Sequence, residues 1–256
     1  MTKIQIDKKY LNIIDNCLKI MGQDETFFII KPNGIDVRII DPSHVTMLII
    51  QNIPYNFKQY EMDFSYCKTN PSAKEDYQEL KRYSNLYPKL LNNIDSMIEL
   101  EWDKNTLIIS SEDCNNSIKY FDYCSPTVTT PISAIIPNLQ LESENIIDTK
   151  TFIKLINLYN IFPNIELKQK DNKLFIGVNQ NNIKSKCLLG YNNNKDTKDS
   201  ESLYPMEYLI MFKKLLQLIK SKDFEINFNT DFPLKFIINL ELIKIECYIA
   251  PRIEND

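Results

Sequence analysis

Four times along the chain, a stretch with apolar residues at helical spacing is followed by two apolar runs that flank a turn signal. In residues 8–21, Leu11, Ile14, Leu18 and Met21 recur at intervals of three and four, which places them on one face of a helix. Lys8, Asn12, Asp15 and Lys19 are assigned to the opposite, polar face. The next segment, TFFIIKPNGIDVRII, carries two apolar runs around Pro32-Asn33-Gly34. Asn-Gly tolerates the positive φ that a tight hairpin demands, so this segment predicts a β-hairpin.

The second unit is NLYPKLLNNI, residues 85–94, then SMIELEWDKNTLIISSE. An interior proline removes a helical hydrogen bond, so this helix is expected to begin near Pro88. Its strands flank Asp103-Lys104-Asn105. The third helix is predicted over residues 149–161, with Phe152, Leu155, Ile156 and Tyr159 inward and Lys150, Lys154 and Asn157 outward. Its hairpin, IELKQKDNKLFIGV, turns at Asp171-Asn172. The fourth helix is predicted over residues 205–220, with Pro205 in its first turn. Phe212, Leu215, Leu216 and Ile219 face the core; Lys213, Gln217 and Lys220 form a polar line with Lys214 beside it. The hairpin FEINFNTDFPLKFII follows.

Two units precede residue 115 and two follow residue 148. Between them lie a strand, NSIKYFDYC, and SPTVTTPISAIIPNLQ, whose prolines and Ser/Thr clusters read as an extended connector. The pattern therefore predicts an α+β chain of two similar domains, residues 1–123 and 138–256, joined by a connector over 124–137. Residues 190–202, GYNNNKDTKDSES, read as a polar surface loop.

Composition narrows the chemistry. Of 256 residues 43% are hydrophobic, enough for substantial cores. There are only 4 Gly and no glycine-rich phosphate-binding motif. The six cysteines, at 17, 67, 114, 124, 187 and 247, include no CxxC pair, which removes the common zinc and dithiol motifs. A single histidine, His44, removes His-pair metal sites. With no convergent set of acids, a nuclease or transferase lacks its machinery, and no catalytic residue, cofactor or metal is expected. The N-terminus has no apolar signal region, and no run is long enough to span a membrane. The expected location is intracellular.

The formal net charge is -4, which argues against tight binding of nucleic acid over the whole surface. Charge is nevertheless sorted by position. The polar faces of three of the four helices carry lysine and amide side chains with few acids. Gathered on one surface, they would form a basic patch that holds phosphates without reading sequence.

Two stretches at opposite ends of the chain carry a resemblance. Residues 34–45, GIDVRIIDPSHV, resemble the DNA sliding-clamp segment G-(I/L)-x-(V/L)-x-x-(M/L/I)-D-(P/S)-S-H-V. Residues 248–254, YIAPRIE, resemble the C-terminal tail of the same family, the proliferating cell nuclear antigen (PCNA) type. Asp231-Phe232-Pro233-Leu234 matches the family's D-x-P-L, and Tyr208-Leu209 with Phe212 to Lys214 matches its fourth helix. Asp-Pro in place of Asp-Ser leans towards archaeal clamps. Residues 64–84 depart from the pattern, lacking the clamp strand that ends in G-V-N-L.

The resemblance implies the DNA clamp fold: two topologically similar domains, each with two helices packed on antiparallel sheets, and subunits closed into a ring. It implies a non-catalytic processivity factor that encircles double-stranded DNA. The DNA-facing residues would be Lys19, Lys89, Lys154, Lys213, Lys214 and Lys220, with Glu207 standing where relatives often carry a base. A pocket for the PIP-box peptides of DNA polymerase, ligase and flap endonuclease would be lined by Ile40, His44, Val45, Pro233, Ala250, Pro251 and Ile253, and by Ile132, Ile135 and Ile136 of the connector. A clamp loader is a further implied partner, and the strands near 116–124 and 182–190 are the implied inter-subunit edges. A homotrimer is the first expectation; one subunit of a heterotrimer, or a divergent clamp-like regulator, is the alternative. The compartment would be the cytoplasm in an archaeon, and the nucleus or a viral replication site otherwise.

Overall fold

The computed structural model describes residues 2–23, 25–31, 33–57, 78–83, 97–102, 106–110, 120–125, 139, 141, 144–180, 183–192 and 199–252. The expected helix at 85–94, the turn at Asp103-Lys104-Asn105, the connector beyond Ser125 and residues 64–77 lie outside them. The chain divides into two compact units. The first comprises Met1–Ile40, Ile49–Ile136 and Glu241–Ile243; the second comprises Asp41–Leu48, Pro137–Leu240 and Lys244–Asp256.

In the first unit, helix α1 spans Lys8–Met21, as its periodicity predicts. The Asp7 carboxylate accepts from the Lys9 amide at 2.8 Å and caps its start. Gly22 ends it at φ 65, where the Gly22 and Gln23 amides close back on Lys19 and Leu18 carbonyls. Leu11, Ile14, Leu18 and Met21 are all buried. Asp15, placed on the polar face by its charge, is buried instead, at 5% exposure. Geometry explains this: position 15 stands four residues after Leu11 and three before Leu18, within the apolar stripe.

Strands β1 (Thr2–Asp7), β2 (Glu25–Lys31), β3 (Gly34–Ile40), β4 (Thr46–Ile53), β5 (Tyr55–Phe57), β6 (Gln78–Tyr83), β7 (Met97–Trp102), β8 (Thr106–Ser110) and β9 (Tyr120–Ser125) follow in chain order. In this unit they lie side by side as β5, β1, β7, β8, β9, β6, β2, β3. The predicted Asn-Gly hairpin is present, with Lys31 paired to Gly34. A Cβ on Gly34 would stand 3.2 Å from the Asn52 Cα, so the neighbouring backbone also favours glycine there. β6 falls within the stretch that departs from the clamp pattern, yet it pairs antiparallel with β2 over six residues.

The second unit holds β10 (Asn145–Asp148), helix α2 (Thr149–Tyr159), β11 (Asn164–Lys170), β12 (Lys173–Gln180), β13 (Ile183–Tyr191), β14 (Ser200–Pro205), helix α3 (Met206–Ile219), β15 (Asp223–Asn227), β16 (Leu234–Asn239) and β17 (Lys244–Ile249). One sheet runs β10, β15, β16, β17, with the first residues of β4 next to β17; the other runs β13, β12, β11, β14. Asp171 and Asn172 both take positive φ, at 50° and 60°, giving the two-residue hairpin expected between β11 and β12. The loop expected over 190–202 is shorter at both ends, because Gly190 and Tyr191 belong to β13 and Ser200–Ser202 to β14. Ser200 and Ser202 are buried in a strand that alternates with exposed Glu201, a period-two signal masked by polar composition.

α2 ends at Tyr159, two residues before the predicted stop, and Pro205 caps α3 from outside its first turn. Phe152, Leu155, Ile156 and Tyr159 are buried on α2, as are Phe212, Leu215 and Leu216 on α3, while Ile219 is half-buried. Between helices and sheet, Phe152, Phe212, Phe224 and Phe236 form one aromatic cluster. The Phe212 and Phe236 rings stack at 3.8 Å, and Phe152 meets Phe224 edge-on at 5.1 Å.

Candidate DNA-facing helices and partner groove

Helix docking through the apolar stripe leaves the lysine faces in solvent. Lys19 is exposed on α1, Lys154 on α2, and Lys214 and Lys220 on and just after α3. None of the four forms an ion pair among the described residues. Lys213 differs: its Nζ donates to Asn157 Oδ1 at 2.9 Å, tying the polar face of α3 to that of α2. Lys89 lies outside the described residues. Glu207 sits in the first turn of α3, where a carboxylate complements the helix dipole of an end that lacks a side-chain cap.

The loop Asp41–Val45 is organised by one buried carboxylate. Asp41 is 5% exposed, and its Oδ1 accepts from the Thr46 amide at 2.5 Å while Oδ2 accepts from the Ser43 amide at 3.1 Å. Its backbone takes part as well, accepting from the His44 amide and donating to the Thr46 carbonyl, each at 3.0 Å. The Tyr208 hydroxyl of α3 reaches Asp41 Oδ2 at 3.4 Å. Burial pushes the Tyr208 phenol above its ordinary range, with Asp41 adding in the same direction. Held this way, His44 adopts φ 56 and projects into solvent, a conformation uncommon for a residue with a Cβ.

Two further segments meet this loop's surroundings. The Ala250 amide donates to the Val45 carbonyl at 2.8 Å, and the Arg252 amide to the Leu203 carbonyl of β14 at 2.8 Å. The segment before β16 is fastened to β14 by the Tyr204 hydroxyl on the Phe232 carbonyl at 2.9 Å and by the Asp231 amide on Ser202 Oγ at 2.8 Å. Burial drives the Tyr204 phenol far above its usual range. Val45, Pro233, Ala250 and Pro251 are each half-buried, and Phe232 is 42% exposed. Ile40 is half-buried at the end of β3 in the first unit. Ile132, Ile135, Ile136 and Ile253 lie outside the described residues.

Comparison with solved structures decides the fold. A solved structure titled as the C-terminal region of FEN-1 bound to A. fulgidus PCNA superposes with a TM-score of 0.74 over 100% of both chains, at 17% identity. The chain has the DNA sliding-clamp fold. A PCNA2-PCNA3 complex from Sulfolobus tokodaii gives a TM-score of 0.69 over 98% of this chain and 100% of that one, at 23% identity. In sequence, the DNA polymerase sliding clamp of Methanococcoides burtonii is 25% identical, with 100% of each chain covered. No family model matches. The likeness is of the archaeal-clamp type and runs through the whole chain.

Within this clamp fold, sequence reading missed what four residues do in the groove's surroundings. Asp41 was legible as part of the D-P-S-H-V motif but not as the acceptor that shapes it, although Asp before Pro-Ser is a known turn former. Tyr204 gave no local signal, and Tyr208 was legible only as part of the fourth-helix match, because their hydroxyl partners are distant in sequence. Phe232 stands in the D-x-P-L match, and nothing in its spacing announces that a phenylalanine there stays exposed.

Proposed function

We propose that the chain is a DNA polymerase sliding clamp, a processivity factor without catalytic activity of its own. It encircles duplex DNA and tethers polymerase, ligase, flap endonuclease and other replication and repair proteins. The observation that carries this reading is likeness in sequence and fold along the entire chain to archaeal clamps. The exposed lysines of α1, α2 and α3 fit sequence-independent contact with phosphates, screened by salt and weak enough to permit sliding. The half-buried apolar residues Val45, Pro233, Ala250 and Pro251, with Phe232 beside them, fit a groove for the apolar anchors of a PIP-box peptide.

Ring closure is assigned to the strands near 116–124 and 182–190; β13, within the latter, is an outer strand of its four-stranded sheet among the described residues. Primer extension on a long template tests the function: with loader and polymerase present, the chain is expected to lengthen the products of a single binding event. Unchanged product length would overturn it.

A second reading keeps the fold and changes the ring: the chain is one subunit of a heterotrimer. Its support is the likeness to a structure whose title names two different clamp chains, PCNA2 and PCNA3. Light scattering on the purified chain separates the two, since a homotrimer has three times the mass of a lone subunit.

A further inference from the structure

The face of β16 and β17 that leads away from Pro233 and Ala250 carries a charge cluster not used by the groove as described. Antiparallel pairing sets Lys235 opposite Tyr248, Ile237 opposite Glu246 and Asn239 opposite Lys244. Lys235, Tyr248, Glu246 and Lys244 therefore share one side of the sheet, in step with Pro233 just before β16 and Ala250 just after β17. Glu246 is the hub. Its Oε1 receives Lys235 Nζ at 2.9 Å and Lys244 Nζ at 2.7 Å, and its Oε2 accepts from the Tyr248 hydroxyl at 2.8 Å. Burial alone would raise the Glu246 carboxyl, but the bonds from Lys244, Lys235 and Tyr248 outweigh it and hold the group below its ordinary range.

One carboxylate thus faces two ammonium groups. Glu225 on the neighbouring strand keeps its charge but forms no ion pair with Lys235 or Lys244; its Oε1 accepts from the Asn239 amide at 3.1 Å. The Lys235 side chain keeps 21% of its surface in solvent while the Glu246 side chain keeps 5%. Lys235 also lies over the Tyr248 ring, its Nζ 5.3 Å from the centroid. A lysine fixed at two points has lost most of its rotamer freedom before any ligand arrives, so a third contact costs little further ordering.

We propose that Lys235, backed by Lys244, is an acid-reading edge of the partner groove: a docked peptide with its apolar anchor at Pro233 and Ala250 places a carboxylate side chain against the Lys235 ammonium. The inference rests on the groove assigned above. It makes the groove selective among apolar-anchored peptides by the charge beside the anchor, through attraction where the ammonium outnumbers its partner.

The test uses two fluorescein-labelled PIP-type peptides that differ only in Glu or Gln beside the aromatic anchor, titrated with the full chain by anisotropy. The Glu peptide is expected to bind about five-fold more tightly at low salt, the size of a partly exposed ion pair. Lys235→Gln is expected to abolish that preference and leave the Gln peptide's affinity in place, while Lys235→Arg retains it. Equal binding of both peptides by the unaltered chain, or a preference that survives Lys235→Gln, overturns the acid-reading edge and leaves the groove standing. Failure of both peptides to bind overturns the groove and the edge together.

Discussion

The Ala250 amide donates to the Val45 carbonyl at 2.8 Å, so the two motif-bearing ends of the chain are joined by a backbone hydrogen bond beside the candidate groove. GIDVRIIDPSHV supplies the acceptor at the end of the loop after β3, and YIAPRIE supplies the donor just after β17.

Asp41→Ala is expected to destabilise the second unit by about 2 kcal/mol, because it strands the Ser43 and Thr46 amides that the carboxylate now satisfies. Asp41→Asn retains an acceptor and is expected to cost less. Urea unfolding of the two variants ranks them, and peptide affinity is expected to fall in the same order as the loop loosens.

Lys154→Ala and Lys214→Ala are each expected to weaken duplex binding for every sequence. Each is also expected to shallow the slope of log K against log salt by about one, the share of a single phosphate neutralised by lysine. Lys213→Ala is expected to change the slope less, since its ammonium is engaged with Asn157. Titration of a short duplex at several salt concentrations measures all three.

Phe212→Ala removes the ring stacked on Phe236 and edge-on to Phe152 and Phe224. A loss of about 3–5 kcal/mol is expected from the cavity, and Phe212→Leu is expected to lose less. Thermal unfolding reports both, and a loss below about 1 kcal/mol for the alanine variant would deny the cluster its place in the core.

A pH effect is expected from the solvent-facing side of the four-stranded sheet, where Glu166 and Glu201 meet. Hydrogen bonding to Glu201, with burial and the Glu201 charge adding to it, raises the Glu166 carboxyl to about 7. Hydrogen bonds from Glu166 and then Lys168 lower Glu201. A carboxyl raised by folding binds its proton more tightly in the native state, so its contribution is whole below the unfolded value near 4.5 and is lost as pH rises through about 7. Stability is therefore expected to decline across that window, and Glu166→Gln to flatten the decline. Melting temperatures between pH 4.5 and pH 8 check the sign, and a rise for the unaltered chain would refute it.

Much of this architecture was legible because helix α1, helix α3 and the Asn33-Gly34 and Asp171-Asn172 turns obey local rules: apolar period, caps and positive-φ residues. Charge misled where position mattered more. Asp15 was assigned to water by its type, while its place between Leu11 and Leu18 buries it. Polar composition likewise hid the start of β14, whose serines turn inward. The lysine faces followed from periodicity alone, but the engagement of Lys213 with Asn157 did not, since it depends on how two distant helices pack. The groove was reached through motif resemblance. Its supports at Tyr204 and Tyr208 are tertiary contacts that no single window of sequence contains, whereas Asp41 bonds mostly within its own loop.

The segment Asp41–Leu48 belongs to the second unit although the chain on either side of it belongs to the first. Its Val45 carbonyl accepts from the Ala250 amide, so this bond cannot form during synthesis until Ala250 has left the ribosome. The order of synthesis thus becomes an order of folding: the Asp41–Leu48 segment is expected to settle only after β17 and Ala250 are in place.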